Sequence, residues 1–74
     1  MDAATHLRRA KAKARRQAGE GLLGCAVLDF SIDLVRHDGT APIGRDLELI
    51  SHGIDYAIEQ DRAGFLQWLE AIRL

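Results

Sequence analysis

The chain has 74 residues, with ten Lys and Arg against eleven Asp and Glu and a formal net charge of −1. That length holds one small domain, near the size at which a single core is only just sufficient, and its one cysteine excludes an internal disulfide. One proline, few aromatics and abundant Ala, Leu, Glu and Arg favour helix over sheet, and no apolar run approaches the roughly 18 to 20 residues of a membrane span.

The charge is unevenly placed. Residues 1–18 hold six bases, Arg8, Arg9, Lys11, Lys13, Arg15 and Arg16, against the single acid Asp2. Residues 19–74 hold four bases against ten acids. The chain therefore divides into a basic helical arm (1–18) and an acidic helical body (19–74) within one domain. Such an arm either binds an anionic partner or folds back on its own body. Along it, at about 100° per residue, Ala3, Leu7, Ala10, Ala14 and Ala18 share one narrow face.

The junction RRQAGEGLLGCA, residues 15–26, spells two functional motifs. Gly19, Gly21 and Gly24 fit the G-x-G-x-x-G of a dinucleotide-binding loop, but that chemistry needs a preceding strand to aim backbone N–H groups at a pyrophosphate. Here a charged helix precedes. The LLGC before Ala26 fits a lipid-anchor site, which needs an apolar segment of about 7 to 15 residues before the cysteine. Three glycines and Glu20 break that segment, and the same defect argues against export through Arg15-Arg16. A cytoplasmic protein is expected. The junction is structural: a cap or kink at Gly19, with Glu20 opening the next helix, or a continuous helix whose small-residue seam (Ala10, Ala14, Gly21, Cys25) admits another backbone.

The second helix spans Leu22 to Arg36 and is apolar on two sides. Cys25, Leu28, Ile32 and Val35 form one face and Leu23, Val27, Phe30 and Leu34 the other. Such a helix lies at the centre of a bundle or is shared with another chain. Cys25, between Gly24 and Ala26 on an apolar face, reads as a buried small residue rather than a nucleophile. Asp29 and Asp33, one turn apart, are the best carboxylate pair, with no pocket-forming scaffold around them.

Asp38-Gly39 and Pro42 mark a turn and a new helix start. In the third helix Ile43, Leu47, Ile50, Ile54, Ala57 and Ile58 are expected on one face, with Glu48, His52, Asp55 and Glu59 opposite. Asp61 is the expected N-cap of a last helix, Arg62 to Leu74, whose stripe is Phe65, Leu69 and Ile72, widened by Leu66 and Trp68. His6, His37, His52 and Cys25 show no metal-ligand spacing. His37, near a helix end, is expected to meet the carbonyl terminus.

Across residues 8–28 the run RRAKAKARRQAGEGLLGCAVL, followed by short amphipathic helices, resembles the small accessory proteins of plasmid conjugation of the TraD type. Those open with a basic segment leading into a Leu/Gly-rich one. The resemblance implies an accessory role beside nucleic acid and assigns no site residues.

The sequence thus predicts an all-α bundle of three or four helices with a basic N-terminal helix, either ended near Gly19 or continued as a long helix kinked at Gly19 to Gly21. Its expected function is that of a non-enzymatic adaptor or regulator without cofactor, metal or small-molecule substrate. It contacts a protein partner or a second copy through Ala10, Ala14, Gly21, Cys25, Phe65 and Trp68. The alternative is sequence-independent nucleic-acid binding by Arg8, Arg9, Lys11, Lys13, Arg15 and Arg16, since bases neutralise phosphates but no interleaved aromatic or Asn reads bases.

Overall fold

In the computed structural model, which describes residues 1–74, all regular structure is helical: α1 (Ala3–Gly19), α2 (Leu23–Val35), α3 (Ala41–Gly44), α4 (Leu47–Ile58) and α5 (Arg62–Ala71). Three aspartates start α1, α4 and α5 in the same way. Asp2, Asp46 and Asp61 each accept a hydrogen bond from the backbone N–H three residues on, at 2.7, 3.1 and 2.8 Å, satisfying a donor the helix cannot satisfy itself.

α1 and α2 are separate helices. Glu20 caps the end of α1 instead of opening α2, and the left-handed residue is Gly21 at φ +82°, not Gly19. The Gly21 N–H donates to the Ala18 carbonyl at 3.0 Å and the Leu22 N–H to the Gln17 carbonyl at 2.9 Å. This crossed pair is the Schellman ending, which needs a positive φ between its two donors. The chain then reverses, so that Gln17 meets Asp29 and Lys13 meets Asp33, as an antiparallel hairpin requires.

Past the end of α2, a buried threonine ties the following turn back to the helix. The Thr40 hydroxyl donates to the carbonyls of Leu34 and His37 at 2.7 and 3.2 Å, supplying partners to a helix end that has run out of its own. The single-turn α3 carries Pro42 in its first turn. At Asp46 the chain restarts, and this new N-cap resets the helical phase. The apolar stripe expected from Ile43 through Ile58 is accordingly interrupted. Ile50 and Gly53 are buried and Leu49, Ile54 and Ala57 partly so, while Leu47 and Ile58 are 82% and 74% exposed. Glu48, His52, Asp55 and Glu59 face outward as expected.

The packing closes a ring. α1 lies against α2, α2 against α4, α4 against α5, and α5 against α1, with α3 bridging α2 and α4. One core fills it: Leu7, Ala10, Ala14 and Ala18 from α1, Leu23, Ala26, Val27, Phe30 and Leu34 from α2, Ile50 from α4, and Phe65, Trp68, Leu69 and Ile72 from α5 and its end. The alanine face of α1 brings its backbone close to α2. α4 reaches Trp68 through Gly53, where an added Cβ would stand 2.6 Å from the indole. The all-helical bundle expected from composition forms, as four helices of ten or more residues and one single turn. The last helix stops at Ala71, with Ile72 extended but still buried.

Candidate interaction surfaces

Two surfaces follow from this ring: the outward side of α1, which carries the bases, and the outward side of α2. On α1, Arg15 Nε donates to Glu70 Oε1 at 2.7 Å and Lys13 Nζ lies 3.3 Å from Asp33 Oδ2. Lys11 Nζ donates to the carbonyls of Glu70 and Ile72, at the open end of α5. Partial burial holds the Lys11 ammonium below its ordinary range, and the hydrogen bond from Arg15 holds the Glu70 carboxyl below its own. Half of the six bases are thus engaged with the chain's own body. Arg8 reaches only Thr5 of its own helix, at 3.3 Å, and Arg8, Arg9 and Arg16 form no ion pair.

The six residues expected at a partner interface do not share a surface. Ala10, Ala14, Phe65 and Trp68 are buried in the chain's own core, because the narrow face of α1 and the stripe of α5 meet inside the ring. Gly21 is exposed in the turn. Cys25 is exposed as well, which corrects its reading as a buried residue: α2 turns its Leu23, Val27, Phe30 and Leu34 side inward, leaving the Cys25 side outside.

That outward side is apolar. Leu28 and Ile32 are 56% and 51% exposed, and Leu22, just before the helix, is 46% exposed. With Gly24 and Cys25 they form a patch bounded by Asp29 and Arg36, and no element of the chain covers it. A helix apolar on two sides was legible in the sequence; which side the chain itself would use was not.

A third feature, at the other end of the α1–α2 hairpin, is a histidine pair. The His6 and His37 rings stack at 5.0 Å with an interplanar angle of 22°. His37 Nδ1 accepts from the Gly39 N–H at 3.0 Å, so its proton sits on Nε2, which donates to the Met1 carbonyl at 2.8 Å. His6 Nε2 donates to the Asp33 carbonyl at 2.6 Å, near the end of α2. His37 therefore meets the N-terminal residue's carbonyl and not the terminus of its own helix. Nothing in the spacing of residues 6 and 37 announces this pairing; it follows from the hairpin register.

A cleft of about 470 Å³ opens between α3, α4 and the end of α5, floored by Ile43, Leu49, Trp68 and Ile72 with Asp46 and Arg73 on its rim. The Asp46 carboxylate caps α4 through Oδ1. The cleft offers apolar contact and one free cation. No group of three or more His, Cys, Asp or Glu side chains converges on a metal-sized site, and no helix is long and apolar enough to cross a membrane. No protein-family model, curated protein or solved structure matches the chain.

Proposed function

We propose that the chain is a small non-enzymatic helical adaptor or regulator, acting in the cytoplasm through protein–protein contacts and associating with itself. The observation that carries this reading is the uncovered apolar face of α2, where Leu22, Leu28 and Ile32 stand about half exposed on a helix whose other face is core. Contiguous exposed apolar surface of this kind marks contact sites. Covering each such side chain is worth roughly 1 kcal/mol. Three from each of two copies supply about 6 kcal/mol gross before the cost of association. Association itself costs at least about 4 kcal/mol, so a contact built on this patch is weak and shows only at high protein concentration.

A second reading rests on Arg8, Arg9 and Arg16, the α1 bases left without an ion pair. They are available to neutralise phosphates without reading sequence. Salt separates the two readings, since an apolar contact is nearly indifferent to it and phosphate binding falls steeply. The test is the mass of the protein in solution at low and high salt, with and without duplex DNA. The adaptor reading expects a mass above the monomer's 8.2 kDa at both salts. A monomer at both salts overturns it; a monomer that shifts on DNA at low salt only replaces it with the second reading.

A further inference from the structure

The six bases of α1 divide into two strips. At about 100° per residue, Arg8, Lys11 and Arg15 fall within about 60° of one another, and Arg9, Lys13 and Arg16 form a second strip farther round the helix. The second strip leads to α2, where Lys13 meets Asp33. The first looks toward the end of α5, and between the two helices lies a groove of about 370 Å³, within the size range of small-ligand sites. All three bases of the first strip line it, and the chain brings a fourth, Arg73, from just beyond α5.

Glu70 is the only acidic side chain in the groove, so positive charge exceeds negative by three. Its carboxylate pairs with Arg15, and no other carboxylate lies within ion-pair distance of the four cations. Lys11 spends its hydrogen bonds on two carbonyls, which carry no net charge to cancel its own. Arg8 donates only to Thr5, and Arg73 forms no ion pair. The charges act on one another. Burial depresses Lys11, and Arg73 and Arg15 push it further the same way against the pull of Glu70; Glu70 is held down chiefly by Arg15 and then by Lys11 and Arg73.

We propose that the groove between α1 and the end of α5 binds a phosphomonoester, its phosphate held by Arg8 and Arg73 beside Lys11. A carboxylate brings a single charge, which Glu70 already supplies. A phosphomonoester brings nearly two at neutral pH, with three acceptor oxygens. Guanidinium forks on two different elements suit those oxygens. The site uses no residue of the α2 face and stands whether or not that face meets a partner. It shares Arg8 with the phosphate-neutralising reading above but not Arg9 or Arg16, and it favours a free or terminal phosphate over a backbone phosphodiester, which carries only one charge.

The test is titration of the full chain with inorganic phosphate, exchanged for chloride at constant ionic strength and followed by backbone amide NMR shifts. Saturable shifts are expected around Arg8, Lys11 and Arg73. Arg8→Gln and Arg73→Gln, both at exposed positions, are each expected to weaken binding roughly fivefold. Arg9→Gln should leave it unchanged, and Glu70→Gln, which removes the groove's own anion and frees Arg15, should strengthen it. Shifts that never saturate, an Arg9→Gln as damaging as Arg8→Gln, or a Glu70→Gln that weakens binding overturn the site. Phenyl phosphate and a short single strand of DNA ending in a phosphate separate the sources: preference for the first marks a small molecule and for the second a nucleic-acid end, and either supports the site. Equal binding of that strand with a terminal phosphate and with a terminal hydroxyl overturns the phosphomonoester in favour of backbone contact.

Discussion

Gly21 and Gln60 occupy the same place in two copies of one motif, the left-handed residue that ends a helix, at φ +82° and +54°. After α4, the Gln60 N–H donates to Ala57 and the Asp61 N–H to Tyr56, repeating the crossed bonds that follow α1. A side chain in this region costs roughly 1–2 kcal/mol, and glycine's extra freedom in the unfolded chain returns part of it. Gly21→Ala is therefore expected to cost about 1 kcal/mol by urea denaturation, and Gln60→Gly to gain roughly 0.5–1 kcal/mol. Opposite signs at equivalent positions isolate the backbone effect, because a Cβ at Gly21 meets nothing within 4 Å beyond its own chain neighbours. Glu70 sets a pH dependence. Its carboxyl, hydrogen-bonded by Arg15, is held below its ordinary 4.5, so its contribution is present above that pH and is lost as pH falls through the depressed value. Asp2, held down by the Thr5 backbone N–H, acts in the same direction. Glu70→Gln should lower thermal stability slightly at neutral pH, since the pair is exposed, and leave it unchanged at low pH, so that the loss below pH 4.5 is correspondingly shallower. An acid limb identical to that of the unaltered chain would show that the α1–α5 ion pair is not formed.

Among the elements, α4 is held by a close approach that its own sequence does not advertise. An alanine at Gly53 would put its Cβ 2.6–2.8 Å from the Trp68 ring and Val27 Cγ2. Overpacking of this order costs about 1–3 kcal/mol, against about 1 kcal/mol gained in helix propensity. Gly53→Ala should thus destabilise the fold, with Trp68 fluorescence reporting a shifted ring; a stabilised variant would show that α4 does not lie on α5 this closely. The same helix shows where periodicity stops being informative. α1 was legible because an unbroken run of helix formers keeps one phase from Ala3 to Ala18. The stripe from Ile43 to Ile58 was not, because Asp46 reads as one more acid on an acidic helix, and only its bond to the Leu49 N–H makes it a new start. Asp61 was legible as a cap because the apolar phase visibly shifts there.

At the scale of the whole molecule, the ring of four helices decides which apolar surface is spent and which is left. Phe65 and Trp68 go inside because α5 closes the ring between α4 and α1, and the alanine seam is consumed by the α1–α2 hairpin. Lys11, Lys13 and Arg15 are drawn onto the body by groups up to 61 residues away, which no local pattern discloses. Of the large apolar side chains left outside, Leu47 and Ile58 stand at the two ends of α4, while Leu22, Leu28 and Ile32 gather on the outer face of α2, the surface proposed to meet a second copy. The most direct measurement is sedimentation equilibrium of the unaltered chain and of Leu28→Asp across a range of protein concentration. The unaltered chain is expected to rise with concentration from 8.2 kDa toward twice that mass at low and high salt, and Leu28→Asp to stay monomeric with its helical content unchanged. An unaltered chain that remains monomeric throughout, or a Leu28→Asp chain that associates as strongly, would contradict it.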